Sequence, residues 1–350
     1  MTGKIPTVAT IVGARPQFIK AGPVSRAFDA AGVAEVVIHT GQHYDNEMSA
    51  VFFEQLGLRE PAHHLGVGGG GHGDMTGRML VALEPVLAEL RPGGVLIYGD
   101  TNSTLAGALV AAKLDIPVFH VEAGLRSFRR AQPEEINRRV ADQLSTLLFC
   151  PTPVAVANLA AEGITRGVMD VGDVMYDAAL RAAGRPEGQE IVASLGLTPG
   201  YYEVATVHRA ENTDDPAILA QVVAFLKARP LPVVLPLHPR TKGALAKAGL
   251  TLEGITVTGP LGYLEMTHLV KNSAGVLTDS GGLQKEAYFH RVPCVTLRDE
   301  TEWVETVESG WNRLWQGSDF TQPRRDIEAY GDGDAAARIA RAVAEHLSAR

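Results

Sequence analysis

Acids and bases gather at particular points of this chain. In YGDTNSTLAG, Asp100 follows an apolar run, and Thr101, Asn102 and Ser103 open a helix-like stretch. In HVEAGLRS, Glu122 takes the same position, and QPEEINRR adds Glu134, Glu135, Asn137 and Arg138. An Asp ahead of a helix is commonly its N-cap, and that reading stays open for Asp100. Glu122 has a Gly turn behind it rather than a first helical turn to cap, so a catalytic role is expected there. GARPQFIK offers a glycine turn, Arg15 and, on the helix that follows, Lys20. Backbone N–H groups and two cations would there be aimed at one anion, although Arg15 as the cap of a neighbouring helix is an equal alternative. Further on, ATVHRAEN carries His208 and Arg209, and LPLHPRT carries His238 and Arg240. GVLTDSGGLQKEAY sets an acid, Ser280, Gly281 and Gly282 ahead of a helix-like stretch with Glu286, the composition of a phosphate cradle. The pattern is an acidic half opposite a basic half.

These residues need elements to hold them. Short apolar runs rich in Val and Ile alternate with longer stretches of helical period, the signature of βαβ units around parallel sheets. Strands are expected at 6–12, 35–40, 95–98, 118–121 and 147–150, and again at 202–207, 233–237, 255–258, 275–277 and 294–297. In open α/β sheets ligands lie beyond the carboxyl ends of the strands, where the strand order reverses. Every residue named above falls there. The fold class is therefore α/β, with two doubly wound, Rossmann-like domains. The weakest patterning, about 184–200, marks the linker, which gives a domain over 1–183 and a second over 184–350. The helical segment at about 334–350 is open to packing back on the N-terminal domain.

At 350 residues the chain is about right for two domains, and two domains make a cleft. With 45% hydrophobic and 21% charged residues it has a globular composition. No apolar run approaches the roughly 20 residues of a membrane helix. The N-terminal run breaks at Gly-Ala-Arg-Pro and reads as a buried strand rather than a leader, so a cytoplasmic location is expected. A net charge of −8 disfavours nucleic acid as a partner. The two cysteines, Cys150 and Cys294, border apolar runs and read as inert core residues. GVGGGGHG (66–73) lacks the Gly-Lys-Ser/Thr ending of a phosphate loop and reads as a mobile loop. The histidines of HTGQH do not lie on a helix in an HExxH arrangement, so no metal site is expected.

Taken together, GARPQFIK, GQH, YGDTNSTLAG, HVEAGLRS, PEEINR, VHRAEN, HPRT, DSGGLQKEA and YGDGDAA, in that order, resemble the non-hydrolysing UDP-N-acetylglucosamine 2-epimerase family, from about Ile5 to the C-terminus. The resemblance implies the glycosyltransferase-B architecture, two Rossmann-like domains facing across a cleft. It implies interconversion of UDP-GlcNAc and UDP-ManNAc through loss of UDP to a 2-acetamidoglucal and its re-addition. No nicotinamide or other cofactor is needed, because no hydride moves. Residue by residue, it assigns Asp100, Glu122 and Glu134 as catalytic carboxylates and His208 as a catalytic histidine near the leaving group. Arg15 and Lys20 are the basic pair at the pyrophosphate and sugar, Arg138 matches the arginine behind PEEINR, and Arg138 and His238 belong to the UDP-sugar contacts. Ser280, Gly281 and Gly282 take the phosphates and Glu286 the ribose. Gln42 and His43 match part of a regulatory pocket for a second UDP-GlcNAc. A homodimer is the family's usual assembly.

Two stretches depart from the common family form. Gln17 replaces an acid in GARPQ, and RDETEWVE (298–305) stands where many members have Thr-Glu-Arg-Pro. With TGRML, these resemble members acting on UDP-2,3-diacetamido-2,3-dideoxyglucuronic acid. That sugar is the alternative substrate; a UDP-sugar-dependent glycosyltransferase of the same architecture and a hydrolysing epimerase are the rival activities.

Overall fold

The computed structural model describes residues 7–42, 53, 56 and 58–349. The chain divides into two compact units, Met1–Ala178 with Glu328–Arg350, and Ala179–Ile327.

In the first unit the strands are β1 (Thr7–Val12), β2 (Ala34–His39), β3 (His63–His64), β4 (Gly94–Tyr98), β5 (Val118–Val121), β6 (Leu147–Cys150) and β7 (Val168–Asp170). They form one parallel sheet in the order β3-β2-β1-β4-β5-β6-β7. The helices are α1 (Arg15–Ala31), α2 (His72–Leu90), α3 (Asn102–Lys113), α4 (Pro133–Leu144), α5 (Pro153–Ala161), α6 (Val174–Ala183), whose last residues pass into the second unit, and the C-terminal Ala335–Ser348. Helices on both faces explain why β4 and β5 are buried at every position and, His120 aside, lack charged or amide side chains. The core beneath them includes Ile11, Ile38, Met79, Leu83, Leu87 and Ile97. The C-terminal helix packs on α1, and its His346 ring meets Phe119 edge-on at 5.3 Å. Asp177 receives the backbone N–H groups of Ala335 and Ala336 and so caps that helix.

The second unit has β8 (Glu203–Thr206), β9 (Val233–Pro236), β10 (Thr256–Thr258), β11 (Gly275–Thr278), β12 (Cys294–Thr296) and β13 (Asn312–Leu314), parallel in the order β10-β9-β8-β11-β12-β13. Its helices are α7 (Glu190–Ser194), α8 (Ala210–Thr213), α9 (Pro216–Lys227), α10 (Pro239–Ala248), α11 (Tyr263–Lys271), α12 (Gly281–Phe289) and α13 (Val304–Glu308), which makes the C-terminal helix α14. Residues 184–200, expected as linker, contain α7, whose Val192 lies in the apolar core with Tyr202, Val204 and Leu269. The expected strands are present within a residue or two. Strands β3, β7 and β13 were missed, because two or three partly exposed residues at a sheet edge carry no periodicity to detect.

At the loop of residues 66–73, Arg78 donates to the Gly68 carbonyl at 3.3 Å and also to the Gly69 carbonyl. Cys150 and Cys294 are both free and buried, and burial pushes the Cys150 thiol up to about 12, far from a reactive thiolate. Among the described residues, no helix is long and apolar enough to cross a membrane.

Candidate active site

In the first sheet the order reverses between β1 and β4, and the candidate residues collect at the carboxyl ends of β1, β4 and β5. Arg15 opens α1 directly behind β1, and Lys20 lies one turn further on. Gln17, 1% exposed, organises this turn: its Oε1 accepts from the Gly13 and Ala14 N–H groups at 2.8 and 3.1 Å, while its Nε2 donates to the Tyr98 carbonyl at 2.9 Å and to Thr104 at 3.1 Å. An amide serves both needs, whereas a carboxylate can only accept. The residue read as a departure thus holds the end of β1 to the end of β4. A Cβ at Gly13 would sit 2.1 Å from Thr40 Oγ1, so glycine is required there.

Glu122 follows β5 in a left-handed conformation, φ +69°. This is uncommon for a residue with a Cβ and concentrates at functional sites. Its carboxylate forms an ion pair with the Lys20 ammonium, the two side chains being 12% and 10% exposed. Gly99, φ +60°, leaves the room they need: a Cβ there would approach Glu122 Oε2 to 3.1 Å and Lys20 Nζ to 3.5 Å. Asp100 follows directly and pairs with Arg138 of α4, Nη2 to Oδ2 2.5 Å. Thr101, not Asp100, is the N-cap of α3, its hydroxyl accepting from the Thr104 N–H, so the capping reading of Asp100 falls away. Burial pushes the Asp100 carboxyl above its ordinary range; Arg138 opposes this, and the charges of Glu122 and Glu134 add to it. Glu134 stands exposed in the first turn of α4, whereas its neighbour Glu135 is buried on Ser127, Arg138 and Arg139. Asn137 donates to the Asp100 carbonyl at 2.8 Å.

Beneath these acids lies a network that sequence reasoning did not single out. His120, fully buried in β5, has Nδ1 at 2.7 Å from Asp142 Oδ1 and Nε2 at 2.7 Å from the Gly99 carbonyl. The ring thereby joins the Asp100 turn to Asp142 of α4. Arg126 grips Asp142 at 2.7 Å and Glu162 through two bonds of 2.8 and 2.7 Å. Burial alone would raise the Asp142 carboxyl, but the His120 and Arg126 bonds hold it below its usual range. The only signal in the sequence was an odd polar residue, His120, inside an apolar strand.

Gln42 is engaged with α3: its Oε1 accepts from the Ser103 N–H at 3.0 Å and the Ser103 hydroxyl at 2.8 Å. His43 lies outside the described residues.

In the second sheet the order reverses between β8 and β11, which pair through Thr206 and Thr278. His208 leaves the end of β8, and Asp279 and Ser280 leave β11. Ser280 is the N-cap of α12, with Gly281 and Gly282 as its first residues; Gly282 is exposed, and Glu286 lies about a turn on. The backbone amides at such a helix N-terminus favour negative charge. His238 caps α10, its Nδ1 accepting from the Arg240 N–H at 3.2 Å, and its ring lies 5.6 Å from that of His208. Burial, then the charge of His208, holds the His238 imidazole below its ordinary range.

Two doubly wound parallel units with chemistry at both switch points define an α/β protein of the glycosyltransferase-B type. The sequence profile described as UDP-N-acetylglucosamine 2-epimerase matches residues 26–344. The chain belongs to this family, whose members are isomerases. It is 50% identical to the UDP-2,3-diacetamido-2,3-dideoxy-D-glucuronate 2-epimerase of Pseudomonas aeruginosa, over 97% of this chain and 99% of that relative. It is 43% identical to a UDP-N-acetylglucosamine 2-epimerase of Methanocaldococcus jannaschii, over 88% of this chain and 87% of that protein. The fold is similar to the crystal structure of a Methanocaldococcus jannaschii UDP-GlcNAc 2-epimerase in complex with UDP-GlcNAc and UDP: TM-score 0.84, 39% identity, covering 97% of this chain and 99% of that one. It is also similar to the Neisseria meningitidis enzyme bound to UDP-GlcNAc, TM-score 0.86 at 26% identity, covering 97% of this chain and all of that one.

Proposed function

We propose that this C2 epimerase of UDP-sugars works by elimination and re-addition of UDP, with UDP-2,3-diacetamido-2,3-dideoxyglucuronate as its substrate. The observation that carries the acid–base reading is Glu122: a carboxylate in a left-handed conformation behind β5, held by Lys20 next to Asp100 and Arg138. The C2 hydrogen of the sugar is barely acidic, so a base alone does little. Its removal is coupled to breaking the C1–O bond. A carboxylate among Glu122, Asp100 and Glu134 takes the proton, the C–H electrons form the C1=C2 double bond, and the C1–O pair leaves with UDP. Re-addition of UDP to C1, with a proton delivered to the other face of C2, gives the epimer. Arg15, Lys20 and Arg138 supply cations on the sugar side. In this reading His208 of the second unit acts on the leaving group, His238 contributes a UDP-sugar contact, Ser280, Gly281 and Gly282 bind phosphate, and Glu286 takes the ribose hydroxyls.

The diacetamido-uronate is supported by the full-length relative from Pseudomonas aeruginosa and by the RDETEWVE variant. UDP-GlcNAc is the second reading, supported by the Methanocaldococcus jannaschii relative. The test is NMR of the purified protein with each sugar in D2O. The manno epimer with deuterium at C2 is expected from the diacetamido-uronate. Its formation from UDP-GlcNAc alone selects the second reading, and its absence from both overturns the assignment. Free sugar plus UDP would instead indicate hydrolysis, and UDP release only with an acceptor would indicate a transferase. We also infer a cytoplasmic homodimer, which light scattering and cell fractionation test.

A further inference from the structure

Asp279 takes no direct part in the chemistry above, yet it is the most completely enclosed acid beside the second switch point, with 0% side-chain exposure. Its Oδ2 accepts from the His208 and Arg209 backbone N–H groups at 2.9 Å each and from Asn212 Nδ2 at 3.1 Å. Asn212 is itself fixed by a 2.9 Å bond to the Leu297 carbonyl. With one oxygen thus immobilised, the other, Oδ1, is buried without a hydrogen-bond partner among the described residues and lies at ion-pair distance, 3.1 Å, from His208 Nδ1. Burial alone would raise this carboxyl, but the nearby His208 and the two amides hold it below its ordinary range, so it is an anion. The His208 side chain is 38% exposed, and the His238 ring lies 5.6 Å from its ring.

We propose that Asp279 is a positioning residue that keeps a proton on His208 Nδ1 and thereby makes Nε2 the nitrogen that works on the substrate. The proposal rests on the catalytic reading of His208. An ionised carboxylate only accepts and repels a lone pair, so its charge 3.1 Å away favours the N–H on the nitrogen that faces it. The neutral ring is then the Nδ1–H tautomer with a lone pair on Nε2, and the protonated ring offers Nε2–H to negative charge gathering on the departing UDP oxygen. The parallel register makes this local: Thr206 and Thr278 are paired partners, so chains leaving β8 and β11 emerge side by side.

Asp279→Asn retains an oxygen for the three N–H groups but turns an NH2 toward Nδ1, which forces the proton to Nε2. Turnover is expected to fall about 10²-fold or more, as for wrong-tautomer substitutions in other histidine enzymes, while KM and UDP affinity stay within about threefold. Long-range 15N–1H NMR, with the His208 ring assigned by its loss in His208→Gln, should show the neutral ring as Nδ1–H in the parent and Nε2–H in Asp279→Asn. A parent ring found as Nε2–H overturns the proposal, and that measurement needs no variant at position 279 to fold. So does parental turnover in Asp279→Asn when His208→Ala is impaired. If His208→Ala itself turns over like the parent, the catalytic reading of His208 fails, and the tautomer still decides whether Asp279 sets the ring.

Discussion

The Lys20 ammonium, one turn into α1, is paired with the Glu122 carboxylate behind β5, across 102 positions of sequence. A cation at this distance steadies the ionised carboxylate and fixes its direction, while the left-handed backbone at Glu122 sets where the group stands. Glu122→Gln removes the proton acceptor but keeps the size and polarity of the side chain. Turnover should fall by about 10²-fold or more with UDP affinity retained. Steady-state rates with UDP titration calorimetry check it; parental turnover would remove Glu122 from the acid–base chemistry.

Arg138 counters the burial of Asp100 and is its closest cation, at 2.5 Å. Replacing it with Gln leaves only Lys20 to oppose burial and the neighbouring acids, so the Asp100 carboxyl moves further up. A rate that depends on ionised Asp100 then loses its acidic limb at higher pH than in the parent. The pH profile of kcat reads this directly, and an unmoved limb means another group sets it.

Gln17 uses both ends of its amide, and only an amide can do so. Gln17→Glu keeps the acceptor for Gly13 and Ala14 but faces the Tyr98 carbonyl with an oxygen. Urea unfolding should report a loss of about 1–3 kcal/mol at neutral pH. The loss should shrink in acid, where the new carboxyl regains a proton to donate.

Asp177 caps α14, and burial, the largest influence, raises its carboxyl to about 6. Between its ordinary value near 4 and about 6 the folded state holds more protons than the unfolded one, so this group's contribution to stability declines as pH rises through that window. Asp177→Asn does not titrate and keeps an oxygen for one of the two N–H groups, which reach different carboxylate oxygens, so it carries a constant loss at every pH. Its stability relative to the parent should rise from pH 4 to 6, as measured by urea unfolding at each pH. A difference independent of pH would show that Asp177 does not titrate in this range.

The strands at the heart of both sheets were legible because each is a run of apolar residues long enough to show against its surroundings, as in β1 and β4. Strands β3, β7 and β13 were not, being too short and too exposed. The acids and bases of the candidate site were also legible, since Asp100, Glu122 and His208 each stand directly behind such a run. What each one touches was not. Asp100 reads equally well as a helix cap until Thr101 is seen to hold that place, and Gln17 reads as a variant until its four hydrogen bonds are traced.

The amino-acid sequence by itself determined which residues stand at the carboxyl ends of strands, because strand, turn and helix start fall within a dozen consecutive residues and depend on local apolar pattern and glycine placement. Tertiary structure alone decided the partners: Lys20 for Glu122, Arg138 for Asp100, Asp279 for His208. Those pairs are 102, 38 and 71 positions apart, and they meet only because β1, β4 and β5, and likewise β8 and β11, lie side by side in parallel. That order follows from packing helices over both faces of each sheet, a condition on the whole unit that no short window of sequence contains.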